Sequence, residues 1–211
     1  MELNKIHNID CLEFMRTLPD KCVDLVLTDP PYGLGIDNQK QSISTNPKHN
    51  RKQHLKMSDW DNAIPSKEYF DEMFRISKNQ IIFGGNYFVN YLVEGHKGWI
   101  VWDKGQHGLT MSDGELAYSS FDKPLRIFTF NRVELLKDGA WHPTMKPLEL
   151  MKWIVKEYST ENEIIYDPFA GSGTTGVACK MLGRNYILNE ISPEYCKIAE
   201  DRIKNISNTL F

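Results

Sequence analysis

Two stretches of this sequence combine residue types that can do chemistry. The first, Asp29-Pro30-Pro31-Tyr32, closes the short apolar run at 23–28. An amine attached to a nucleobase ring has its lone pair delocalised and is a poor nucleophile. The Asp29 carboxylate and the Pro30 carbonyl can accept hydrogen bonds from its two protons. That favours a tetrahedral nitrogen whose lone pair points at an electrophilic carbon, and positioning and electrostatics supply the rest. Pro30 and Pro31 fix the carbonyl and bring no competing N–H. Tyr32 offers a flat face to a base drawn out of a duplex. The plainer reading is a proline turn with an aspartate cap, and the four residues alone do not decide.

The second stretch is Tyr166-Asp167-Pro168-Phe169-Ala170-Gly171-Ser172-Gly173-Thr174-Thr175, between an apolar run and a helical pattern. Glycines there let backbone approach a ligand closely. The stretch lacks the lysine of a phosphate-binding loop and does not match G-x-G-x-x-G. It suits a carboxylate at a helix N-terminus, such as the methionine end of S-adenosylmethionine. About twenty residues on, Glu190 follows another apolar run, where an acid can accept from both ribose hydroxyls. A tight turn with an incidental acid explains either feature singly; the pair argues for a cofactor site.

The elements that must position these residues show in the periodicity. Helical spacing follows Asp10 within 6–18 and recurs at 66–77, 148–158, 174–182 and 193–206, with Pro147 suited to the first turn of the helix at 148–158. Strands are expected at 23–28, 80–83, 98–102, 125–130, 163–166 and 185–188. Their alternation implies an α/β fold with a mostly parallel sheet covered by helices on both faces. The chain of 211 residues suits one domain spanning 1–211. Hydrophobic residues make up 41% and charged residues 25%, an ordinary globular balance. No membrane-length apolar run or signal-peptide pattern occurs, so a cytoplasmic location and no membrane partner are expected. Cys11, Cys22, Cys179 and Cys196 form no CxxC pair and read as reduced thiols, and no metal constellation is seen.

Four segments in order resemble the β-class DNA amino-methyltransferases, whose catalytic motif precedes the cofactor motif. Residues 23–32 resemble the catalytic motif, and His142-Pro143-Thr144-Met145-Lys146-Pro147 the HPTxKP segment. Residues 167–175 match the cofactor loop, and Asp10-Cys11-Leu12 resembles a GDxL element with Ile9 in place of glycine. The resemblance implies a Rossmann-like fold with permuted motif order and S-adenosylmethionine as cofactor. It implies a cofactor site of Asp10, Cys11, Asp29, His142, Thr144, Lys146, residues Asp167 to Thr174 and Glu190, with Asp10 on the cofactor's adenine amino group. Asp at the first position of the catalytic motif tilts the target toward the N6 amine of adenine. N4 of cytosine is the alternative. RNA or protein-amide transferases, and a non-catalytic module that keeps the fold, are further alternatives that motif order and the intact Asp29-Pro30-Pro31-Tyr32 argue against. The absence of a Pro-Cys pair argues against a covalent route to a ring carbon.

Double-stranded DNA is the expected partner, although the formal charge of −3 means that any contact must come from a local patch. Segments 33–61 and 103–141 are the candidate contact or target-recognition segments, with Lys48, Arg51, Lys52, Lys104 and His107 as candidate contacts. A solvated basic loop explains the first three equally well. The second segment is short for target recognition, so a minimal element, a short site or help from a second copy of the chain is expected. Asn86 or Tyr87 could line a base pocket, though a plain turn is favoured there.

Overall fold

The structure is a computed structural model that describes residues 1–33, 63–93, 95–108, 112–131 and 145–206. Eight strands form one sheet in the order β1-β8-β7-β2-β3-β5-β4-β6. They are β1 (Lys5–His7), β2 (Val23–Thr28), β3 (Ser77–Phe83), β4 (Trp99–Asp103), β5 (Gly114–Ser119), β6 (Arg126–Thr129), β7 (Ile164–Asp167) and β8 (Asn185–Asn189). Every pairing is parallel except those of β5, which runs antiparallel to both β3 and β4.

The central strands are buried on both faces, which is why they read as near-continuous apolar runs. Leu25 and Leu27 of β2 join one core cluster and Val26 joins the other; Ile81 and Phe83 of β3 split from Ile82 in the same way. Helices α1 (Cys11–Arg16) and α2 (Lys67–Ile76) cover one face through Met15, Phe70, Met73 and Ile76. Helices α3 (Leu148–Tyr158), α4 (Thr174–Met181) and α5 (Pro193–Lys204) cover the other through Leu150, Ile154, Val177 and Ala199. This is the Rossmann-like α/β arrangement expected from the alternation.

Two strands are absent from the sequence reading. β1 has three residues and gains its place only by pairing with β8. β5 opens with Gly114 and Glu115, residues that argue against a strand by propensity. Pro147 sits at the N-cap of α3 rather than inside its first turn. Among the described residues no helix is long and apolar enough to cross a membrane.

Candidate active site

Because β1, β8, β7 and β2 run parallel, their C-terminal ends lie along one edge, where ligands of open α/β sheets bind. The Asp29 turn follows β2 and the glycine loop follows the adjacent β7. A hydrogen bond joins the two segments directly: the Thr28 hydroxyl donates to Asp167 Oδ1 at 2.8 Å. The Thr175 hydroxyl donates to Oδ2 at 2.5 Å and the Phe169 N–H to Oδ1 at 3.1 Å. Asp167 is therefore a buried strut between the catalytic strand, the loop and α4. Burial pushes its carboxyl up to about 6 against the pull of these donors, and the Asp29 charge adds to the rise.

The loop turns on glycine. Gly173 has φ +78°, and a Cβ there would lie 2.6 Å from the Ala199 Cβ on α5. Arg202 of α5 clamps the same loop, donating to the Ser172 carbonyl at 2.5 Å, the Ser172 hydroxyl at 2.8 Å and Thr174 Oγ1 at 3.2 Å. Burial lowers its guanidinium to about 10. Glu190, just past β8, accepts from the N–H of Gly171 and of Ser192, each at 2.8 Å. Burial raises its carboxyl above the usual range, and the carboxylate keeps acceptor capacity for further donors.

Asp29 sits at the head of a chain of alternating charge in which the two lysines are buried and the two carboxylates about a fifth exposed. Tyr32 donates its hydroxyl to Asp29 Oδ1 and Lys146 its ammonium to Oδ2. Lys146, only 6% exposed, also lies 3.1 Å from Glu115 Oε2, and Glu115 Oε1 pairs with Lys104 at 2.9 Å. Burial and the Glu115 charge raise the Asp29 carboxyl, outweighing Lys146 and Tyr32. Burial works to lower the Lys146 ammonium, but the two carboxylates overcome it and hold it above its ordinary value. Burial likewise opposes ionisation of Glu115, which Lys146 and Lys104 hold below the usual range.

One cavity of about 440 Å³ opens between the two segments, within the volume range of small-molecule sites. Asp29, Pro31 and Lys146 line one part, and Asp167, Pro168, Phe169, Ala170, Gly171, Ser172 and Thr174 another. Glu190, Asp10 and Cys11 complete the polar wall, and Ile9, Ile64 and Ile191 add apolar surface. Asp10 caps α1, accepting from the N–H of Leu12 at 2.9 Å and of Glu13 at 3.1 Å, and receives the Tyr69 hydroxyl at 3.3 Å. Cys11 is buried, and burial raises its thiol well above the usual range. Pro30 and Tyr32 are not among the lining residues, and Gly173 serves as the N-cap of α4.

The structure brings the Asp29 turn, Lys146, the glycine loop, Asp10 and Glu190 together. It does not bring Lys104 to the surface: that residue is 8% exposed and held by Glu115, so its expected role as a DNA contact is corrected to a buried ion pair. His107 is exposed, with Asp103 and Asp113 at 3.8 and 3.7 Å. The residues His142, Thr144, Lys48, Arg51 and Lys52 lie outside the described residues. Nor is Tyr32 an open platform. Tyr87 stacks on its ring with centroids 4.9 Å apart, and Gly84 is required because a Cβ would meet that ring at 2.3 Å. Sequence reasoning missed Glu115, for which no motif exists, and Tyr69, which a helical pattern reads as ordinary core.

Comparison with known proteins agrees with this geometry. A family profile described as DNA methylase matches residues 101–201. The type II methyltransferase M.HinfI of Haemophilus influenzae is 26% identical over 254 aligned positions, covering 97% of this chain and 69% of that protein. The crystal structure of the M1.HpyAVI complex with S-adenosylmethionine superposes with a TM-score of 0.64 at 26% identity, covering 94% of this chain and 98% of that one. The cytosine-N4-specific PvuII DNA methyltransferase has the same fold, with a TM-score of 0.62 at 14% identity over 98% of this chain and 87% of that one. In sequence and in fold the chain is similar to DNA amino-methyltransferases, and the matched M1.HpyAVI structure holds S-adenosylmethionine.

Proposed function

We propose that the protein methylates the N6 amine of adenine in double-stranded DNA, by base flipping and direct transfer with no covalent enzyme intermediate. The observation that carries this reading is the cavity shared by the Asp29 turn and the glycine loop. S-adenosylmethionine, when bound, supplies an electrophilic methyl group. The residues fit that donor: Glu190 retains acceptor capacity for ribose hydroxyls, and the Gly171–Thr174 backbone opens α4 toward a carboxylate. Asp10 is assigned the donor's adenine amine, which is supported by its place in the cavity lining together with the apolar Ile9 and Phe169.

On the acceptor side, the Asp29 carboxylate and the Pro30 carbonyl accept hydrogen bonds from the two N–H groups of the target amine and orient its lone pair toward the donor methyl, and one of those protons leaves the nitrogen once the methyl is transferred. Tyr32 fixes the carboxylate through its hydroxyl, and the Tyr32–Tyr87 stack supplies aromatic surface for the extruded base. Asp rather than Ser at position 29 supports adenine over cytosine. Resemblance to type II methyltransferases supports a role in restriction-modification.

The test is incubation with tritiated donor and unmethylated duplex DNA, followed by digestion to nucleosides. Label in N6-methyl-2′-deoxyadenosine is expected. Label in N4-methyl-2′-deoxycytidine would overturn the choice of base, and no label on any duplex would overturn the reading.

A further inference from the structure

We infer that Lys146 has two seats, Asp29 in the resting site and Glu115 when a target amine arrives, so that Glu115 is a positioning residue for methyl transfer. The inference rests on the proposed function above. In the structure Asp29 has both oxygens engaged, Oδ1 by Tyr32 and Oδ2 by Lys146. Asp29 and Lys146 line the cavity together, so a target amine that donates to Asp29 Oδ2 competes with the ammonium for the same oxygen. An ammonium cannot leave such a place for an apolar wall, because an unpaired buried charge is costly. It needs another anion within reach.

Glu115 is that anion. Its Oε2 lies 3.1 Å from Lys146 Nζ, yet among the described residues it is a fully buried acceptor with no aligned hydrogen bond. Its Oε1 is tied to Lys104, so the carboxylate is anchored while Oε2 stays available. A small rotation of the lysine side chain moves the ammonium from Asp29 Oδ2 to Glu115 Oε2. Charge is conserved throughout, no proton moves, and the vacated lone pair of Asp29 takes the amine N–H.

The two seats also link recognition to chemistry. Glu115 lies on β5 and Lys104 just past β4, and the Lys104 N–H donates to the Asp113 carbonyl at 2.9 Å. Both belong to the segment 103–141, a candidate contact or target-recognition segment in the sequence. The groups that face the trio are Tyr32 and Asp167 from the site side and Lys104 from behind.

The experiment compares the full chain with Glu115→Gln and Glu115→Asp in single-turnover methylation of a duplex that the parent methylates. Glu115→Gln is expected to lose about 10- to 100-fold in rate, the effect of misplacing one catalytic contact, with donor affinity unchanged. Its acid limb should move to lower pH, because removing the Glu115 charge lowers the Asp29 carboxyl. Glu115→Asp keeps an anion and should recover most of the rate. A Glu115→Gln variant as fast as the parent, with the same pH profile, would overturn the second seat and leave the proposed function standing. A parent that methylates no DNA would overturn both. A crystal structure of the parent with target duplex and a non-transferring donor analogue provides a readout free of variants: Lys146 nearer Glu115 than Asp29 is expected, and Lys146 still on Asp29 Oδ2 overturns the inference.

Discussion

Replacing Lys146 by methionine tests whether the charge chain behind Asp29 holds the site together. The variant keeps an unbranched side chain and removes only the ammonium, which contacts two carboxylates in a place 6% exposed. At 3.1 Å the attraction to Glu115 alone is about 5 kcal/mol with an effective dielectric near 20. Dehydration of the ammonium offsets most of that. The net cost comes from leaving two largely buried carboxylates without their cation, about 3–5 kcal/mol. Lys146 works to lower the pKa of both Asp29 and Glu115. Without it both folded-state values rise, that of Asp29 further above its unfolded value. A group raised in that way favours the folded state at acid pH, and that advantage is lost as pH rises through the raised value.

Urea unfolding of the parent and Lys146→Met, at about pH 5.5 and about pH 8, reads both effects. The deficit is expected to be about 3–5 kcal/mol at the higher pH and clearly smaller at the lower. Adding Glu115→Gln to Lys146→Met should recover part of the loss, because one carboxylate then remains instead of two. A loss below about 1 kcal/mol at both pH values, the worth of a surface pair, would refute the reasoning.

Two further outcomes follow from the cofactor half of the site. Gly173→Ala combines left-handed strain of about 1–2 kcal/mol with overpacking of about 1–3 kcal/mol against Ala199. Thermal unfolding should register the sum, calorimetry should show weaker donor binding, and an unchanged melting temperature contradicts the packing described. For Asp167 the folded carboxyl near 6 lies above its unfolded value of 3.8, so the folded state holds the proton more tightly. The donor-free parent should therefore gain on Asp167→Asn as pH falls from 7 through 6 toward 4, by about 3 kcal/mol at most. A stability difference that stays constant over that range contradicts it.

The glycine loop and the Asp29 turn were legible because each ends a buried parallel strand, and such strands read as apolar runs closed by Pro or Gly. Both cores followed from the same runs: Leu25, Val26 and Leu27 announce a strand covered on two sides. β5 was not legible, because Glu115 is tolerated in a buried strand only through Lys146 and Lys104, which lie in other parts of the sequence. The same pairing explains why Lys104 read as a surface cation. Lysine is mostly exposed, and only tertiary structure reveals a largely buried carboxylate waiting for it. The role of Lys146 beside Asp29 was likewise hidden, since the HPTxKP resemblance points it at the cofactor. Tyr87 gave no more than a turn signal, and its stacking on Tyr32 depends on Gly84 leaving room.

The most direct measurement is a crystal structure of the protein soaked with S-adenosylmethionine. Density for the donor in the cavity beside residues 167–175, with its methyl group directed at Asp29, is the predicted result. A donor bound elsewhere, or bound there with its sulfonium turned away from Asp29, would contradict the account.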